Sequence, residues 1–315
     1  GLFILIFLFS LIFLSLVIFF FFHKKDDHNK NSIFLLSKET SILINNWFMM
    51  YFLSVVLVGT IYPIFLDVVS SEKISIGPPF YHKLIIPFLI PFLLVMAIGP
   101  KLKWIKSDFS KKFSLILLFV ISVLLSIIII KTLKVQFLIN SVLLTFIFYL
   151  FFITVRDFFI QKLSNLSQRV AHFGFSLFLL SILFNNILST EVITNLKVGE
   201  TFQSEKYKIY FEDLSQKKEK NFVSLVGKFV IENLEGDIQI MKPELRIYNQ
   251  PNIATSEAYI KTNFFSDNFM TMNYVQNQEY LNIRYQIKPL MIWIWISVIM
   301  ITAGGLISVF KKNEN

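Results

Sequence analysis

Apolar residues run in long blocks along this chain, broken by short polar stretches. Leu2–Phe22 carries no charge at all. Further blocks cover Asn46–Leu66, Leu84–Ile98, Phe113–Ile130, Phe137–Val155, Val170–Leu188 and Leu290–Phe310. A membrane-spanning helix needs about 20 mostly apolar residues, so the pattern predicts seven spans. The third is shorter and holds Pro87 and Pro91, which predicts a kink. Prolines are tolerated in spans where neighbouring groups satisfy the freed carbonyls. One long polar stretch, from about Ser189 to Lys288, has a different period. Tyr207, Ile209 and Phe211 alternate with Lys208 and Tyr210, the signature of a half-buried strand. Phe222–Ile231 is rich in β-branched and aromatic residues. Asn233-Leu-Glu-Gly236 reads as a turn, and Ile238 and Ile240 alternate after it. The expected fold is therefore a polytopic α-helical membrane protein with a small all-β domain between its last two helices. Residues 1–188 form the six-helix membrane region, 189–288 the extramembranous β domain, and 289–315 the last span and tail.

Composition agrees. The 315 residues are 55% hydrophobic and 16% charged, against about 25% charged in soluble domains, and mean hydropathy is +0.62. The net charge of +9 would suggest nucleic acid in a soluble chain. Here the cations sit in short loops between spans, which excludes that partner and leaves membrane lipid. Lys24, Lys101, Arg156, Arg169, Lys311 and their neighbours make fourteen Lys and Arg in the first, third and fifth loops and the tail. The intervening loops hold four: Lys73, Lys83, Lys131 and Lys134. By the positive-inside rule the tail faces the cytoplasm or the mitochondrial matrix. The β domain then faces the periplasm or intermembrane space. Cysteine is absent, which excludes disulfides, thiolate metal sites and CxxC chemistry. The sequence starts at Gly1 and enters a span at once, with no signal-peptide pattern. The first residues of the natural protein are expected to be missing.

Candidate chemistry is sparse. His172, in Arg169-Val-Ala-His-Phe-Gly-Phe-Ser176, lies one turn inside the sixth span. An ionisable residue there is costly and marks a functional position by default, and imidazole is a common axial ligand of haem iron. The plain alternative is an interfacial histidine bonded to a carbonyl. His23 and His28 are five apart in a charged loop, off the i,i+4 spacing of a helical metal pair, and read as solvated. His82 reads as an interfacial polar residue. Asp67, Glu72 and Asp157 fall in loops, so no carboxylate relay is evident. Trp293 and Trp295 suit an aromatic belt, and Gly304-Gly305 suits close helix packing. Two classes remain open: a redox or cofactor-handling enzyme using His172, and a haem-free permease or assembly subunit whose β domain docks a partner protein. A transporter should place polar residues near a midplane cavity, and these spans are nearly bare of them.

Several stretches, in order, resemble the C-terminal half of the CcmF-type cytochrome c haem lyase family. Ser37-Lys-Glu-Thr-Ser-Ile-Leu-Ile-Asn-Asn46 is similar to its S-R-E-x-x-x-L-x-N-N, and Gly59-Thr-Ile-Tyr-Pro63 to its G-T-x-Y-P. Lys73-Ile-Ser-Ile-Gly-Pro-Pro-Phe80 resembles K-I-S-V-G-P-P-Y/F. In the β domain Lys242-Pro-Glu-Leu-Arg-Ile-Tyr248 resembles P-E-x-R-x-Y, and Ser256-Glu-Ala258 the T-E-A that follows. Pro289-Leu-Met-Ile-Trp-Ile-Trp295 with Gly304-Gly305 resembles the closing span. The resemblance implies covalent attachment of haem to the CxxCH thiols of apocytochrome c. Haem would be a substrate in transit, delivered by a haem chaperone of the CcmE type, with subunits of the CcmH type as further partners. It also implies an internal haem b, with His172 as one axial ligand of its iron and the other ligand outside this chain. No catalytic residue is carried over. The tryptophan-rich WWD segment and its flanking histidines are absent, so the expectation is a fragment or a split gene. The upstream half of the same lyase becomes a required partner, and the chain is not expected to be active alone. The membrane would be bacterial or mitochondrial inner membrane.

Overall fold

The computed structural model describes residues 1–22, 34–70, 74–105, 113–133, 137–160, 166–204, 206–233, 236–274 and 280–310. Seven helices within them are long and apolar enough to cross a membrane. The chain divides into two compact units, Gly1–Arg156 and Asp157–Asn315.

In the first unit, α1 (Leu2–Phe22) is followed by α2 (Lys38–Val69), α3 (Pro78–Ile98), α4 (Phe113–Leu133) and α5 (Phe137–Ile160), whose end passes into the second unit. Helix α2 starts eight residues before the apolar block that predicts it. Ser37 is the reason: its hydroxyl oxygen accepts the Thr40 N–H at 3.1 Å, and the Thr40 hydroxyl donates to the Phe34 carbonyl at 2.8 Å. A side-chain cap of this kind satisfies helix donors that would otherwise be orphaned, and hydropathy does not register it. Helix α3 also starts early, at Pro78 after an extended Gly77. Proline at the first helical position loses no needed N–H. Gly59 of α2 faces Tyr81 of α3 so closely that a Cβ there would lie 2.6 Å from the phenolic oxygen. Helices α4 and α5 share a hydrogen bond between Ser126 and Thr145 hydroxyls at 2.6 Å.

The second unit holds α6 (Leu166–Leu188), ten strands and α7 (Met291–Phe310). The strands are β1 (Thr190–Leu196), β2 (Thr201–Gln203), β3 (Tyr207–Lys218), β4 (Phe222–Asn233), β5 (Ile238–Met241), β6 (Glu244–Asn249), β7 (Asn252–Glu257), β8 (Tyr259–Thr262), β9 (Ser266–Tyr274) and β10 (Leu281–Pro289). They form two antiparallel sheets, ordered β1-β10-β9-β8 and β2-β3-β4-β6-β7, with β5 added on β4. The inward positions of β3 are Tyr207, Ile209 and Phe211, as the alternation predicts, and they join Phe229, Ile231, Met270, Met272, Ile283 and Tyr285 in one core. Phe211 stacks on its cross-strand partner Phe229 with centroids 4.3 Å apart.

The β5 strand keeps its alternation but reverses its face. Ile238 and Ile240 point outward, and Met241, paired with Phe229, is fully buried. Gln239 points inward with it. The Gln239 amide donates to the Tyr285 hydroxyl at 2.9 Å, and the Asn268 amide donates to the Gln239 carbonyl oxygen at 2.9 Å. A buried phenol needs such a partner. The chain Asn268–Gln239–Tyr285 ties one sheet to the other.

Burial pushes the Tyr285 phenol up to about 12, outweighing the Gln239 hydrogen bond, with neighbouring Tyr207 adding to the rise. Burial raises Tyr207 as well. An unfolded tyrosine ionises near pH 10, so above that pH the unfolded state releases a proton that the folded state keeps. Stability is full below about pH 10 and falls as pH rises towards about 12. Thermal unfolding of the β domain, followed by near-UV circular dichroism, should show that loss, and Tyr285→Phe should make it shallower.

Candidate functional site

Helices α6 and α7 cross at unusually short range. A Cβ on Gly174 would lie 2.9 Å from the Ile301 nitrogen and 3.0 Å from the Ser297 carbonyl oxygen. A Cβ on Gly304 would lie 2.6 Å from the Ala171 nitrogen. Each glycine thus admits the other helix's backbone. Lipid offers no hydrophobic drive between helices, so packing of this kind holds them together. Gly304 meets the expectation of close packing, whereas Gly305 faces open space. Gly174 is a position the sequence pattern left without a role. The available signal was its place among small residues on one flank, Ala171 and Gly174.

His172 lies between them in sequence but not in space. Each residue turns an α-helix by about 100°, which carries His172 well away from the seam with α7. On its own flank α6 carries Arg169 and Ser176, both buried. The Arg169 guanidinium donates to the Phe158 carbonyl at 3.4 Å, the Ser176 hydroxyl donates to the Phe173 carbonyl at 2.9 Å, and Phe173 meets Phe158 edge-on at 5.2 Å. His172 itself is half-buried. Arg169, counted above as a loop cation, is inside the helix. The flank is aromatic and carries one guanidinium, one hydroxyl and one imidazole, and the imidazole is of the kind that can make a single axial contact to a haem iron.

Of the other candidates, His82 is exposed near the start of α3, within the first unit. His23, His28 and Glu72 lie outside the described residues. Among the described residues no group of three or more His, Cys, Asp or Glu forms a metal site. Trp295 is 64% exposed near the start of α7, as a belt residue should be.

Seven apolar helices, with an antiparallel β-sandwich set between the sixth and seventh, define a multi-pass membrane protein with an extramembranous sandwich. Residues 187–289 match the family described as the CcmF C-terminal beta-sandwich. Two cytochrome c-type biogenesis proteins CcmF are similar along most of the chain. That of Pseudomonas fluorescens is 27% identical over 291 residues, covering 88% of this chain and 44% of the relative. That of Haemophilus influenzae is 26% identical over 297 residues, covering 88% and 45%. A solved structure, "Cytochrome c Heme Lyase CcmF", superposes with a TM-score of 0.67 at 19% identity, over 88% of this chain and 46% of that one. The fold is shared. Along most of its length the chain is similar to CcmF-type cytochrome c biogenesis proteins, and it spans less than half the length of the curated relatives it matches.

The two adjacent glycines of α7 separate packing from propensity. Gly304→Ala should lower the melting temperature in detergent by an amount matching about 1–3 kcal/mol of overpacking. Gly305→Ala should leave it unchanged or slightly raised, because alanine is the better helix former.

Proposed function

We propose that the chain is the C-terminal part of a cytochrome c haem lyase, and that His172 supplies one axial ligand to an internal haem b. The observation that carries this reading is the half-buried imidazole of His172 on the apolar spanning helix α6, in a chain that aligns along 88% of its length with CcmF proteins. A haem held there supplies one-electron chemistry, its potential set by ligand and burial. The protein's own contribution is positional. Helix α6, locked to α7, fixes the height of the imidazole in the membrane, and the Phe158–Phe173 pair keeps that flank dry.

The second axial ligand, the site of thioether formation and the catalytic groups belong to the upstream half of the lyase. The substrates are haem, brought by a CcmE-type chaperone, and the CxxCH thiols of apocytochrome c, with a CcmH-type subunit alongside. The cation bias of the loops supports a periplasmic or intermembrane-space β domain, where it would form part of the platform for these partners. Holding thiol and vinyl carbon together supplies rate by proximity. A haem-free permease is disfavoured by spans with so few ionisable residues.

Co-expression with the upstream portion, followed by reduced-minus-oxidised spectroscopy in detergent, tests this. The wild type should show a b-type spectrum. His172→Ala should lose or weaken it while eluting as a folded protein, and added imidazole should restore part of the signal. A wild type without haem under haem-sufficient expression would overturn the ligand role and favour the permease or assembly reading.

A further inference from the structure

The turn between β8 and β9 is Asn263-Phe264-Phe265, and it presents two phenylalanines outward, 55% and 69% exposed. The Asn263 N–H closes the turn on the Ser266 carbonyl at 2.9 Å. The Leu290 N–H then donates to the Phe265 carbonyl at 2.8 Å. Leu290 immediately precedes the first residue of α7, so the tip is level with the start of a membrane span. Leu290 has φ of 58°, a left-handed conformation that costs a branched residue energy and persists where surroundings hold it. The bond to Phe265 is one such restraint. The ring of Phe264 also meets Trp293, in the first turn of α7, edge-on with centroids 5.1 Å apart.

The next rows of the sheet change character. Pro289 pairs with Ser266, and Lys288 pairs with Asp267, which pairs with Thr262. Ile287 pairs with Asn268, which pairs with Lys261. At about 3.4 Å per residue, Lys288 stands roughly 7 Å and the Lys261 row roughly 10 Å beyond Leu290. Asp267 shares the nearer row. Aromatic rings at the level where α7 begins, and lysines about one headgroup layer further out, follow the order of a lipid interface.

We infer that the Phe264–Phe265 tip is a membrane-interface anchor, seated at the headgroup–acyl boundary of the bilayer that α7 crosses, with Lys261 and Lys288 at phosphate depth. The occupant is phospholipid and not a protein partner, because the tip is hydrogen-bonded to the residue that leads into a spanning helix and its Phe264 ring packs on Trp293 in the first turn of that helix. The assignment goes beyond the haem reading and does not depend on it. Its consequence is a second point of attachment for the sandwich, which fixes how the domain leans on the membrane.

The absence of native cysteine makes the test direct. The full chain carrying Phe265→Cys, and separately Lys208→Cys on an exposed position of β3, is labelled with bimane in nanodiscs of phosphatidylcholine and phosphatidylglycerol. Lipids with a doxyl group near the headgroup should quench the label at 265 about threefold more than that at 208, and aqueous iodide should show the reverse order. Phe264→Cys gives an independent second position should the first variant fold poorly. Equal iodide quenching at the tip and at 208 would overturn the anchor. A tip label reached by neither quencher would overturn it too, placing protein over the tip instead of lipid.

Discussion

The β-sandwich of this chain is an insertion, and its geometry rests on how tightly the helices at its two ends are held together. Gly174 and Gly304 let α6 and α7 approach until backbone meets backbone. The chain then leaves α6 directly into β1 and returns from β10 directly into α7. At the handover the Asn185 side-chain amide donates to the Pro289 carbonyl at 2.6 Å, across 104 residues of sequence. Beyond it β1 pairs with β10 along the whole length of β1, from Thr190 with Ile287 to Leu196 with Leu281. The Arg284–Glu191 ion pair and the Asn282–Asn195 bond lie on the same two strands, and Arg284 holds the Glu191 carboxyl below its ordinary range. Helix contact and strand contact are therefore one continuous clamp.

That clamp also sorts the faces of α6. The flank with Ala171 and Gly174 is spent on α7, and the flank with Arg169, His172 and Ser176 is left for other work. A helix that must serve both as a packing element and as the carrier of an imidazole needs this division, since the groups are only one or two residues apart. Small residues serve the first task because any Cβ would push the backbones apart. Aromatic and polar residues serve the second. On the proposed reading, the rigidity that an axial ligand would need comes from the opposite side of the same helix.

Much of the fold is written in hydropathy and period. The seven spans follow from the length of their apolar runs, and the strand at Tyr207–Phe211 from its period of two. What escapes them is decided by single groups. Ser37 extends α2 by capping it, Gly77-Pro78-Pro79 starts α3 early, and neither changes the apolar count. The face of β5 is set by its register against β4, which puts Met241 opposite Phe229, and a strand of four residues holds too little pattern to fix that alone. The candidate site shows the same division. His172 is legible because an ionisable group stands out against an apolar span. Gly174 is far less so, since its pairing with Ala171 on one flank is a faint signal that does not say what passes over it. Phe264 and Phe265 are hidden for a related reason: their meaning lies in a backbone bond to Leu290, a residue 25 positions away in the sequence.

The order of strands imposes an order of assembly. In the larger sheet β2, β3, β4 and β6 pair with near neighbours, contacts that a growing chain makes soon after each strand appears. The smaller sheet differs. Its β8, β9 and β10 form a late meander, and β1, made first, has no partner until β10 is complete. Contacts between distant residues are slow to form because the intervening loop must close first. The sandwich therefore closes only once β10, the strand that leads into α7, has been made.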